Sequence, residues 1–116
     1  MPVYQVKGKY LLVRIVEPYS LKLVLATIGE AAARCRQEQL DRLLADLREM
    51  VGVPTIMDRY EMGVEIARVF GSKIQCAAVA DPGLINWLAE SVAVNRGANF
   101  KVFSDMAEAM KWLEIG

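Results

Sequence analysis

Three aspartates have the side chains and the positions in the sequence that could support chemistry. Asp46, Asp81 and Asp105 each stand at or just after the end of an apolar segment that we predict to be a strand. The carboxyl ends of parallel strands share one edge of a sheet, so three carboxylates there could hold Mg²⁺ or a small substrate. Asp81 and Asp105 are also placed to cap helices, and strands two apart lie about 10 Å from each other. We therefore expect no metal site, and we expect Asp46 to pair with Arg48.

The chain contains no histidine and only two cysteines. Without imidazole, the Ser-His-Asp and Cys-His nucleophile systems and His-ligated zinc are unavailable. Cys35 and Cys76 have neither CxxC spacing nor metal-ligand types beside them, so we expect two reduced thiols in the core. We predict a protein that is not an enzyme and uses no cofactor.

Length and charge narrow the class of protein further. A chain of 116 residues with 54% hydrophobic composition suits one domain over residues 1–116. The 14 basic and 14 acidic residues are interspersed, so the positive field that binds a phosphate backbone is missing and we expect no nucleic-acid partner. Lys22 and Glu30 interrupt the longest apolar region, and we expect no membrane span and a cytoplasmic location.

Apolar periodicity predicts an α/β fold with the order β-β-α-β-α-β-α-β-α. The predicted strands cover residues 3–6, 10–16, 42–47, 73–80 and 100–103. The predicted helices begin after Ser20, at Thr55, at Asp81 and at Asp105. The first two strands form an antiparallel hairpin, and the later alternation calls for a parallel sheet with strands in sequence order. Gly29 interrupts the first helix, which suggests close packing against a neighbour.

The helix that begins at Thr55 has more apolar surface than one contact with a sheet requires. A helical wheel places these residues inward: Ile56, Tyr60, Gly63, Val64, Ala67 and Phe70. Met62, Ile66 and Val69 extend the apolar face, and Trp87 and Val94 share an outer flank of the next helix. Such clusters usually mark an interface. These five residues are candidate binding positions, and a homodimer interface, an apolar-ligand pocket and a wide core stripe are the alternatives.

Two charged residues in the first turns of the same helix belong to this candidate surface. Arg59 lies near the apolar sector, where its charged head must reach water, a carboxylate or a ligand. Its stem could simply pack on apolar neighbours, or the guanidinium could recognise an anion or a partner. Asp58 precedes it in the polar sector and is a further candidate for partner or ligand binding.

Several segments carry a family resemblance. Residues 43–49 read LLADLRE, residues 54–63 contain Pro-Thr-x-x-Asp-Arg-Tyr-x-x-Gly, residues 89–97 read AESVAVNRG and residues 102–113 read VFSDMAEAMKWL. Together with the element order, they resemble the SpoIIAA-like proteins of the STAS superfamily over nearly the whole chain. The resemblance implies a SpoIIAA-like fold. The superfamily includes anti-anti-sigma factors, which bind a kinase-type anti-sigma protein, and the fold also resembles lipid-binding CRAL-TRIO domains.

The chain departs from one motif of that family. The anti-anti-sigma branch carries a phosphorylatable serine in an Asp-Ser-Ser/Thr-Gly segment at the helix after the third strand. In the corresponding loop here, Thr55 is the only hydroxyl, and Ile56 and Met57 follow it. A helix start favours a phosphate, and it is equally the ordinary position of a threonine N-cap. Thr55 is therefore a candidate phosphorylation site or, alternatively, a helix cap.

We predict a non-enzymatic binding or regulatory domain that acts through protein–protein contact at residues 51–69, as a homodimer. The resemblance implies an anti-sigma-type regulator as the partner. The alternative is a carrier of a small apolar or lipid-like ligand, with the alanine-rich strand and Met and Trp side chains lining the cavity.

Overall fold

The computed structural model describes residues 1–84 and 87–115, and within them the elements follow the predicted order. The strands are β1 (Val3–Lys7), β2 (Tyr10–Arg14), β3 (Arg42–Asp46), β4 (Gln75–Val79) and β5 (Asn99–Phe103). The helices are α1 (Leu21–Glu38), α2 (Ile56–Phe70), α3 (Leu88–Asn95) and α4 (Met106–Leu113). Helix starts coincide with the predicted caps at Ser20, Thr55 and Asp105, whose side chains accept backbone N–H hydrogen bonds.

The five strands form one sheet in the order β1-β2-β3-β4-β5. β1 pairs antiparallel with β2, and the remaining pairs are parallel. This confirms the predicted mixed sheet with strands in sequence order. Short crossovers of one hand between adjacent parallel strands place their helices on the same face of the sheet.

The sheet separates two layers of unequal thickness. The face covered by α1, α2 and α3 holds the larger cluster of buried side chains, among them Leu43, Cys76 and Ala78. α4 covers the other face, where Leu113 packs with Ala77 and their neighbours. β4 is therefore covered on both sides, as its continuous apolar run predicts. Within the described ranges, every helix is too short or too polar to cross a bilayer.

The helix predicted from Asp81 begins later than expected. Asp81 Oδ1 accepts the backbone N–H of Gly83 at 2.9 Å, and Pro82–Leu84 forms a single 3₁₀ turn. α3 begins at Leu88, and residues 85 and 86 lie outside the described ranges. The predicted helix start is wrong, and the glycine in this first turn is a physical reason, because glycine is a poor α-helix former.

The inward face of α2 also differs from the predicted one. Ile56 and Tyr60 are exposed, whereas Gly63, Ile66 and Phe70 are buried. α2 packs against α1 and α3, and its buried residues Ile66 and Phe70 belong to the core cluster that includes Leu43 of the sheet. Its orientation is therefore set by the two neighbouring helices and the core together, and Ile56 and Tyr60 are left exposed.

Close packing at a glycine occurs in α2 and not in α1. A Cβ atom added at Gly29 would meet no atom within 4 Å, so the packing role predicted for this glycine is wrong. A Cβ atom added at Gly63 would lie 2.6 Å from the carbonyl oxygen of Ala89 and 2.8 Å from Cβ of Val92. Gly63 is therefore the residue that lets α2 and α3 approach.

Candidate functional site

An apolar surface lies at the start of α2 and in the loop before it. Its side chains keep most of their accessibility: 74% for Val51, 67% for Val53, 73% for Ile56 and 65% for Met57. We call these four residues the loop surface. Single exposed apolar residues are common, but several in one short segment are typical of a binding site. An apolar run punctuated by Gly52 and Pro54 is the sequence signal for this surface, since such a loop cannot lie within a core.

Hydrogen bonds from two directions hold the loop surface in place. Thr55 Oγ1 accepts the backbone N–H of Asp58 at 3.0 Å, and Asp58 Oδ2 accepts the backbone N–H of Thr55 at 3.4 Å. The Tyr19 hydroxyl, from the β2–α1 loop, donates to the same oxygen at 2.9 Å, and the Tyr19 N–H donates to the Val51 carbonyl at 2.7 Å. The Tyr19 hydroxyl lowers the pKa of Asp58, while burial and then the bond to Asp58 raise the pKa of Tyr19.

These contacts confirm the cap interpretation of Thr55 and give Asp58 a structural role. They also bring in Tyr19, which sequence reasoning missed because no local pattern pairs residues 39 positions apart. Hydrogen bonds therefore join the loop between β2 and α1 to the loop and first turn at the start of α2.

The predicted apolar candidates separate into two groups. Ile66 keeps 6% of its accessibility, and Met62 and Val69 are half-buried against the core, which favours the core-stripe alternative for these three over an exposed interface. Val94 is exposed on α3, and Trp87 is exposed at the N-cap of that helix. α2 and α3 pack together in one layer. The apolar candidates of α2 are buried or half-buried, whereas Trp87 and Val94 are exposed to solvent.

An apolar cavity of about 160 Å³ lies between the sheet and the layer formed by α1, α2 and α3. Five alanines contribute to its walls: Ala31, Ala45, Ala78, Ala80 and Ala89. At one end Leu43, Phe70 and Cys76 are buried, whereas at the other end Gly52 is exposed and Arg59 is half-buried. The cavity therefore meets solvent beneath the loop between β3 and α2.

Three of the predicted candidates line this cavity, namely Arg59, Met62 and Ile66. Among the described lining residues, Arg59 carries the only full charge. Thr27 is polar, but its hydroxyl already donates to the Leu23 carbonyl at 2.7 Å. The lining is thus apolar apart from one cation near the solvent end.

The three aspartates at the strand ends each accept hydrogen bonds from residues of their own segment. Asp46 is buried and accepts two hydrogen bonds from the Arg48 guanidinium, both at 2.9 Å, which confirms the predicted ion pair. Arg48 holds the pKa of Asp46 below its usual value. Asp105 Oδ1 accepts the backbone N–H of Ala107 at 2.9 Å and caps α4. In the ranges that the structure describes, no cluster of three or more acidic or cysteine side chains could hold a metal ion.

Both cysteines are buried and free, as predicted. Burial raises the pKa of Cys35 to about 11, and it also raises that of Cys76. Neither thiol is available as a thiolate nucleophile near neutral pH.

The layered sheet and its strand order define a STAS-type α/β domain. A family model described as SpoIIAA-like matches residues 16–114, and the chain belongs to the SpoIIAA-like family. The fold is similar to that in the crystal structure of an anti-sigma factor antagonist from Mycobacterium paratuberculosis, with a TM-score of 0.67 at 9% sequence identity. That match covers 98% of this chain and 93% of the other. No curated protein sequence is significantly similar to this chain.

Proposed function

We propose that this protein is a non-enzymatic regulatory domain that binds a protein partner through the loop surface. The observation that carries the proposal is the exposure of Val51, Val53, Ile56 and Met57 in one anchored segment. Apolar groups held in a fixed position lose little conformational freedom on binding, which favours association. The structural neighbour is an anti-sigma factor antagonist, which supports a regulatory protein, such as one of the anti-sigma type, as the partner.

Site-specific photo-crosslinking tests this proposal in the cells that make the protein. A photoreactive residue replaces Met57, and a matched control replaces Val6, which is 51% exposed on the edge strand β1. We expect a discrete adduct with a second protein from position 57 only, and we expect Ile56→Ser to reduce it. Equal adducts from both positions, or none from position 57, would contradict the proposal.

Homodimerisation through α3 stays a prediction. Trp87, the N-cap residue of α3, is 57% exposed, and Val94 is exposed on that helix. Sedimentation at low micromolar concentration should give a dimer for the wild type and a monomer for Trp87→Ser, with Val6→Ser as the matched control. If the wild type sedimented as a monomer, the dimer prediction would be wrong, and the loop-surface proposal would be unaffected.

Phosphorylation of Thr55 also stays a prediction. A phosphate on Oγ1 would disrupt the hydrogen bond from the Asp58 N–H and bring two negative groups together, which would loosen the first turn of α2. After incubation with a cognate kinase, phosphopeptide mapping should find the modification at Thr55. Modification elsewhere would contradict the assignment.

A second candidate function is favoured by the cavity beneath the loop. We propose, as the alternative, that the domain carries a small apolar ligand there. Native mass spectrometry of freshly purified protein should show a mass above that of the bare chain. A single mass equal to that of the chain would count against a resident ligand.

A further inference from the structure

The segment between β3 and α2 belongs both to the cavity and to the loop surface. Met50, Gly52 and Pro54 contribute to the lining of the cavity. Val51 and Val53, which alternate with them in the sequence, are 74% and 67% exposed. One short segment therefore forms part of the cavity wall with one side and presents the loop surface to solvent with the other.

Hydrogen bonds hold this segment near both of its ends. The Tyr19 N–H donates to the Val51 carbonyl at 2.7 Å, and the reciprocal bonds between Thr55 and Asp58 hold the start of α2. Between these anchors, Gly52 borders a cavity of about 160 Å³. Atoms that line a void lack the contacts that they would have in a packed core. A molecule that filled the cavity would therefore add contacts on the inner side of the segment.

The size and lining of the cavity determine which molecules could fill it. Leu43, Phe70 and Ala78 form part of its wall and have no side-chain group that can form a hydrogen bond. The Thr27 hydroxyl already donates to the Leu23 carbonyl. A polar group buried there would lose its hydrogen bonds to water without replacement. An apolar cavity of about 150 Å³ in another protein binds benzene, so one of about 160 Å³ suits an uncharged apolar molecule of similar size.

We infer that an uncharged apolar molecule of about the size of benzene binds in this cavity and thereby strengthens partner binding at the loop surface. The inference rests on both proposed functions and connects them through the segment that they share. A loop surface that the bound molecule already holds in place loses less conformational freedom when a partner binds. The coupling is reciprocal, so the partner should raise the affinity for the apolar molecule by the same factor.

Protein-observed NMR with toluene as the probe tests the first step. Toluene should shift resonances of cavity residues and slow amide hydrogen exchange at Met50 and Thr55, whose N–H groups make hydrogen bonds of 3.2 and 3.4 Å. At ten times its dissociation constant, toluene should slow exchange through openings that release it by about 10-fold. Gln39 provides the control amide, because its N–H makes a bond of 3.3 Å outside the cavity lining, and its exchange should not change.

A narrowed cavity provides matched variants. Ala78→Val should remove both the resonance shifts and the slower exchange, and Ala45→Val should do the same if the first variant does not fold. Ala33→Val makes the same substitution at an exposed position of α1 outside the cavity lining, and it should keep both effects.

The photo-crosslink from position 57 tests the second step. In clarified lysate, toluene should raise the yield of the adduct with the same partner by about 5-fold or more in the wild-type background. It should not raise the yield in the Ala78→Val background, which controls for effects of toluene on the lysate.

Each failure points to a different step. If toluene bound the folded wild type without slowing exchange at Met50 and Thr55, the inference would be overturned and the carrier proposal would stand. If toluene did not bind, the inference would be overturned and the carrier proposal weakened. An adduct that toluene does not increase would overturn the strengthening of partner binding. The absence of any adduct from position 57 would instead contradict the loop-surface proposal, and the coupling to a partner with it.

Discussion

Replacing Gly63 with alanine should destabilise the protein, although alanine is the better helix former. The added Cβ atom would lie 2.6 Å from the Ala89 carbonyl oxygen and 2.8 and 2.9 Å from Cβ and Cγ1 of Val92. Ordinary contacts between such atoms begin near 3.4 Å. The oxygen belongs to the backbone and Cβ cannot move by side-chain rotation, so α2 and α3 would have to separate.

Two opposing contributions set the size of this effect. Glycine to alanine in a helix interior gains about 1 kcal/mol, whereas an extra methyl group in a well-packed contact costs about 1–3 kcal/mol. Because the clash involves rigid atoms, the cost should fall in the upper part of its range. We expect a net loss of about 1–2 kcal/mol in the free energy of unfolding, or roughly 4–8 °C in Tm for a chain of this length.

Urea unfolding followed by tryptophan fluorescence measures this loss, and Gly29→Ala is its matched control. Gly29 also lies inside a helix, but nothing lies within 4 Å of the position of its added Cβ. This variant should therefore gain about 0.5–1 kcal/mol. If Gly63→Ala proved as stable as the wild type or more stable, the close approach of α2 to α3 would be refuted.

Three further predictions concern the hydrogen bonds around β3 and α2. Asp46→Asn should cost about 1–2 kcal/mol at pH 7 by weakening the pair with Arg48. Because Arg48 lowers the pKa of folded Asp46 below 3.8, this stability is present above the unfolded pKa and lost as pH falls through the folded one. The two urea midpoints should therefore converge below about pH 4, and a constant difference would exclude the pair. Tyr19→Phe should speed amide hydrogen exchange at the start of α2 without changing exchange in β3, since it removes only the hydrogen bond to Asp58. Unchanged exchange at the start of α2 would show that this hydrogen bond does not hold the first turn in place. Thr55→Ala should cost about 1 kcal/mol in urea unfolding and Thr55→Ser much less, because serine keeps the capping oxygen; equal losses would refute the cap.

Much of the local structure of this protein is predictable from short segments. The caps at Ser20, Thr55 and Asp105 join atoms two or three residues apart, so residue type and position are enough to identify them. The Asp46–Arg48 pair is equally local. The order of strands follows from short crossovers, and the family resemblance was already visible in the sequence.

The sequence by itself determined the order of the elements and the helix starts at Ser20, Thr55 and Asp105, because those depend on periodicity and on bonds within one turn. The tertiary structure decided which side of α2 is buried, since both α1 and α3 pack against that helix. It also decided that Gly63 is the tight contact, that Tyr19 reaches Asp58, and that the alanines leave a cavity beside Arg59. Each of these depends on distances between segments far apart in the chain, which no local pattern of residues encodes.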